Sequence, residues 1–217
     1  MKKHLSIIIV GLFYLFFHNL CIAQSQLTDD ARAYAKKQTK KYEKENWQTQ
    51  PGPTMYEMFE EEYLLRKELI ISGTGTYSRY LYQNGISTSQ VLSVAKRQAE
   101  VQAREDLLTA VRSSLSGIIS TQLSNAQLSI NQATAVSQIQ TRFETMTSGD
   151  LVNTKTVISV YREKANVVEY SVMVFIDLQQ AAKDLIEQHI QTNYIQDPSF
   201  VVNEIKKLNE SEYPQKK

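Results

Sequence analysis

Few side chains in this sequence have the type and spacing that chemistry needs. The run Glu60-Glu61-Glu62 offers carboxylates for a hard cation, but consecutive helical positions point in different directions and a cage needs converging oxygens. It is read as surface. Gly73-Thr74-Gly75 opens like a phosphate-binding fingerprint, yet Ser78 stands where the third glycine belongs, and no helix starts where a pyrophosphate would need its N–H groups. Carboxylate hydrolysis would draw on Glu57, Glu60, Glu61, Asp106 and Asp150, among which no pair stands out by spacing. His189 lies in a polar helical pattern without a nucleophile motif and is read as a boundary or surface residue. Tyr77, Tyr80, Tyr82 and Tyr161 could line a groove for a sugar ring or a peptide. Lys36, Lys37, Lys40, Lys41 and Lys44 make one helix side basic, read as a solvated face balanced by Glu43 and Glu45. No cofactor, metal site or catalytic residue is expected.

Charge and cysteine usage narrow the classes further. The 217 residues carry 24 Lys+Arg against 23 Asp+Glu, which leaves no electrostatic footprint for nucleic acid. Lys2-Lys3, the apolar residues 5–17 and the small residues Cys21 and Ala23 read as a cleavable export signal, residues 1–23. Without it the chain keeps no cysteine and only His189, so disulfides, Cys/His zinc sites and thiol chemistry are excluded. A lipoprotein would instead be cut before Cys21, but His18, Asn19 and Leu20 are poor neighbours for that cut. Membrane contact is therefore expected only if Cys21 is lipidated. The expected location is the periplasm or the outer-membrane surface of a Gram-negative-type bacterium.

The elements that must position these residues follow from periodicity. Residues 24–68 form a helical extension: one helix from Thr28 to about Asn46, a Pro51-Gly52-Pro53 turn, and a second helix capped by Thr54. Residues 69–77 read as one strand, and Asn84-Gly85 as a turn. Ser87 and Gln90 fit a capping box that opens a long helix, on which Ala95, Ala99 and Ala103 would let it lie close against a sheet. Farther on, Ile119, Leu123, Ala126, Ile130, Ala133, Val136, Ile139, Phe143 and Met146 recur in steps of three or four as a helix–helix seam with few charges beside it. That seam either folds back on the chain's own helix or serves self-association or a protein partner. Two period-two stretches, residues 151–162 and 167–178, form an antiparallel hairpin, and residues 179–194 a closing helix. The fold class is α+β: strand, long helical segment, hairpin and closing helix in a domain of residues 69–195, with a tail at 196–217.

Three stretches carry a family resemblance: Ile71-Ser72-Gly73-Thr74-Gly75-Thr76, the alanine-paced helix 94–107, and Tyr161-Arg162-Glu163-Lys164 followed by Tyr170-Ser171-Val172-Met173-Val174. Together they resemble the "Lpp-twenty" type of small bacterial envelope lipoproteins, whose domain also resembles the amino-terminal part of flagellar assembly protein T. The resemblance implies an exported, non-catalytic envelope protein on a small α+β domain, with no active-site residues to carry over. The expected function is a structural or interaction module. The alternatives are a periplasmic ligand binder using the tyrosine groove and, behind it, a carboxylate hydrolase.

Overall fold

The structure is a computed structural model that describes the backbone of residues 26–72, 75–123, 137–138, 140–141 and 143–191, and the side chains of residues 26–69, 78–117, 137–138, 140–141 and 143–184. The expected export signal, the Gly73-Thr74 pair and the tail at 196–217 lie outside the described residues. Helix α1 spans residues 26–44. It is closed by a left-handed cap at Asn46 (φ 60°): the Asn46 N–H donates to the Glu43 carbonyl and the Trp47 N–H to the Tyr42 carbonyl, each at 3.0 Å. This cap, rather than the prolines beyond it, ends the helix and turns Trp47 inward ahead of the short strand β1 (Gln48–Thr49). Helix α2 (Met55–Lys67) starts as its sequence demands. The Glu57 N–H donates to the Thr54 hydroxyl, and the Thr54 N–H donates back to the Glu57 carboxylate at 2.8 Å.

The single strand expected at 69–77 is a small hairpin, β2 (Leu69–Ser72) with β3 (Gly75–Ser78). The next stretch corrects the sequence reading: Tyr80–Ser89 is a ten-residue strand, β4, running straight through Asn84-Gly85. Ser87 therefore belongs to a strand, and the long helix α3 starts later, at Leu92, and runs to Leu123. The described residues of 137–145 are helical (α4), and a 3-10 turn, Ser148–Asp150, leads into the hairpin β5 (Lys155–Lys164) and β6 (Val167–Asp177). Helix α5 (Leu178–Gln191) closes the described chain, capped by Asp177, whose Oδ1 accepts from the N–H groups of Gln179 (2.9 Å) and Gln180 (3.1 Å).

The main sheet has the order β1-β5-β6-β4, antiparallel throughout. Alternation of side chains gives it two buried faces. On one, Tyr170, Val172, Val174 and Ile176 meet Ala95, Ala99, Ala103 and Leu107 of α3, with Phe143, Met146, Ala181 and Ala182 completing the cluster. On the other, Ile158, Val160 and Phe175 lie under Ala35 of α1, Met58 and Phe59 of α2, and Trp47. A register shift between Thr156 and Ile158 turns Val157 to this second face as well. The fold is α+β, an antiparallel sheet with helices on both faces, and residues 26–67 are the cover of the second face.

The spacing of α3 from the sheet is set by β4. A Cβ on Gly85 would stand 1.9 Å from the Ala99 carbonyl oxygen, so only glycine fits beneath the alanine stripe. Close approach of another backbone, the usual reason for a glycine inside a strand, is the role of Gly85.

Candidate functional site

The polar groups inside the molecule tie elements together. Glu62, 2% exposed, accepts from the Tyr34 hydroxyl of α1 at 3.0 Å and from the Arg66 guanidinium at 2.9 Å. Arg66 in turn sits 4.7 Å above the Tyr82 ring, which stacks on Phe175 at 5.1 Å. Burial, reinforced by the Glu62 charge, pushes the Tyr34 hydroxyl up to about 12. At the start of β4, the Arg79 guanidinium donates to Asp177 (2.9 Å) and Glu68 (2.5 Å), while its backbone carbonyl accepts from the Leu178 N–H. The Asp177 bond holds Arg79 charged above its ordinary range. On β5, Arg162 donates to Glu169 at 2.7 Å and covers the Trp47 ring at 4.4 Å. Arg162, and then Lys164, hold the Glu169 carboxyl below its ordinary range.

Most residues singled out by their chemistry are not brought together. The acidic run fans out to three partners: Glu60 to Arg32 (3.7 Å), Glu61 to Lys155, and Glu62 to Tyr34 and Arg66. Glu62 is buried, which corrects the reading of all three as surface. It occupies the helix side of Met58 and Phe59, four and three residues earlier, and that spacing was the signal for its burial. Of the other carboxylates, Glu57 caps α2, Asp150 accepts from Thr147 in its own turn, and Asp106 is exposed on α3. The four tyrosines do not share a groove. Tyr80 and Tyr82 pack on the face covered by α1 and α2, Tyr161 packs on the α3 face against Tyr170, and the Tyr77 side chain lies outside the described residues. The lysines of α1 are exposed on its outer side. The His189 side chain lies outside the described residues.

The seam is only partly described. Phe143 and Met146 are 1% and 0% exposed, buried in one chain with Leu107, Val111 and Leu115, and the Met146 carbonyl accepts from Arg112. These two residues serve as internal core, not as an interface. The side chains of Ile119 and Leu123, and residues Ala126, Ile130, Ala133, Val136 and Ile139, lie outside the described residues.

Among the described residues, a rim along β4 and the first turns of α3 is left uncovered. Among the described residues, no strand pairs with β4 on the side away from β6. The 2.9 Å bond from Leu178 N–H to the Arg79 carbonyl fixes the alternation, so Tyr82, Asn84, Ile86 and Thr88 direct their N–H and C=O groups outward. One of these, the Ile86 N–H, donates to the Gln102 side chain at 3.3 Å, and the Ser87 hydroxyl donates to Gln98 at 2.8 Å. Gln98 and Gln102 thus mark the α3 side that borders the β4 edge. Val91 (53%), Val94 (42%) and Val101 (48%) are exposed at the start and on the outer side of α3, and Ile86 (53%) is exposed on the other face of β4. No charged residue and no proline occurs from Tyr80 to Ala95.

Fold and rim together define a class, an antiparallel α+β domain covered by helices on both faces, with one long uncharged strand edge. No protein-family model matches the chain, and no curated protein or solved structure matches it either.

Proposed function

We propose that this chain is an exported, non-catalytic envelope protein that works as a structural or interaction module, through the β4 edge and the adjoining flank of α3. The observation that carries the reading is the β4 edge, which among the described residues no strand pairs and which has no charge or proline, with Val91 and Val94 exposed beside it and Ile86 exposed on its other face, since an unprotected edge flanked by exposed apolar side chains marks a contact site. Export is argued from Lys2-Lys3, the apolar residues 5–17 and Cys21-Ile22-Ala23, and the resemblance to the envelope lipoproteins points the same way. Among the described residues no helix is long and apolar enough to cross a membrane. The paired acidic groups support an interaction role over hydrolysis, because the buried Glu62 and the half-buried Asp177 and Glu169 are each tied to a separate partner rather than gathered at one cleft.

The test is photo-crosslinking in living cells that export the chain. A crosslinking side chain at Gln98, beside the β4 edge, is expected to trap a protein, whereas one at Lys37, on the exposed side of α1, is expected to trap none. Equal yields at the two positions, or no adduct at Gln98, overturn the reading.

A further inference from the structure

We propose that the β4 edge is the docking site for a second copy of this chain, the two β4 strands pairing antiparallel about a two-fold axis to join two four-stranded sheets into one of eight. The proposal rests on the interaction-module reading and names its partner.

The outward N–H and C=O groups of Tyr82, Asn84, Ile86 and Thr88 are half of a ladder, and the surface that completes a ladder is another strand. Edges that must stay single are blunted by charge, proline or a bulge. The opposite side of the sheet has such devices: β5 carries Lys155, Arg162 and Lys164, contains the bulge at Val157, and is partly covered by β1. The β4 strand has none, and its register with β6 runs unbroken from Tyr80 to Ser89.

Charge points to a second copy as the occupant. Antiparallel pairing about a two-fold sets each residue opposite one from the same short stretch, so a charged edge would repel itself. From Tyr80 to Ala95 there is no charge to repel. The helices add a second, independent fit. A two-fold perpendicular to the sheet keeps both α3 helices on one face. Each lies over β4 and β6, and strands are spaced about 4.8 Å apart, so the two helices stand about 10 Å apart, the distance at which helices pack. Gln98 and Gln102, one turn apart and bonded to Ser87 and Ile86, form the flank that meets its twin. Ile86, near the middle of β4 on the other face, approaches its own copy. The Gln102 amide now on the Ile86 N–H is one long, exposed bond, which a strand carbonyl replaces.

The experiment is the molar mass by light scattering of the chain purified from cells that express it whole, beside Ile86→Lys and Asn84→Pro. The lysine sets like charges across the two-fold. The proline removes one outward N–H and no bond to β6. The parent is expected at twice the monomer mass, and both variants at the monomer mass with unchanged circular dichroism. A reading that needs no variant accompanies it: amide exchange at Tyr82, Asn84 and Thr88 in the parent should slow as its concentration rises. A monomeric parent, a dimer that survives both substitutions, or exchange indifferent to concentration overturns the proposal. If Gln98 traps a different protein while the parent is monomeric, the second copy is refuted and the interaction module stands. If Gln98 traps nothing, the module itself falls.

Discussion

At the scale of single residues, the most telling group is Glu62, a carboxylate almost wholly removed from water between α1 and α2. A buried charge persists only with partners, and Glu62 has two, the Tyr34 hydroxyl and Arg66. The consequence is visible in alkali. Tyr34 ionises near pH 10 in the unfolded chain and at about 12 in the folded one, so the folded state binds the extra proton between those values. Stability from this contact is complete below pH 10 and is lost as pH rises toward 12. Tyr34→Phe should cost about 1–3 kcal/mol at neutral pH, because Glu62 loses a donor it cannot replace with water. The same substitution should flatten the alkaline decline. Urea midpoints at about pH 8 and about pH 11 check both, since the parent must lose more stability over that interval than the variant. An equal loss in the two proteins would show that Tyr34 does not carry the effect.

At the scale of elements, the contact between α3 and β4 depends on the absence of side chains. Ala95, Ala99 and Ala103 are wholly buried, and the backbone of α3 stands where a Cβ on Gly85 would be. Gly85→Ala therefore requires the helix and sheet to separate. The expected loss is about 4 kcal/mol or more, a large share of the roughly 5–15 kcal/mol by which a domain is stable, and enough to lower the melting temperature sharply. Gly149→Ala is the control, since its Cβ would meet nothing closer than Thr147 Oγ1 at 3.6 Å. Thermal melts of the two variants decide it, and similar melting temperatures would show that α3 lifts at little cost. The alanine stripe was legible in the sequence because its period is helical, and so was the β5–β6 hairpin, because Val168, Tyr170, Val172, Val174 and Ile176 alternate with period two. The β4 strand was not. Asn-Gly is the strongest short-range turn signal, and only the helix overhead, a contact remote in sequence, explains why a glycine sits there in a strand. The candidate site fared the same way. Its valines were read as part of a helix, and its edge could not be read before β4 was a strand.

At the scale of the whole molecule, the question is whether residues 24–68 are an addition to the domain or part of it. The second face of the sheet answers through magnitudes. Val157, Ile158, Val160 and Phe175 are each at most 4% exposed beneath α1, α2 and Trp47. Burial of such side chains contributes about 1.5–3 kcal/mol each, so uncovering the four forfeits about 6–12 kcal/mol. That equals most or all of the roughly 5–15 kcal/mol by which a domain is stable. The ties across the same boundary, Lys155 to Glu61 and Arg79 to Glu68, would go with it. A chain beginning at Leu69 is therefore expected to keep helical circular dichroism while losing a cooperative melt and binding a dye that reports exposed apolar surface, as loosely packed compact states do. Adding residues 24–68 back as a separate peptide should restore the melt, because the face that receives them, Phe175 beside Ile158 and Val160, is assembled by the β5–β6 hairpin itself. A cooperative melt from the shortened chain alone would instead mean that the α3 core suffices, and that α1 and α2 are present for something other than stability.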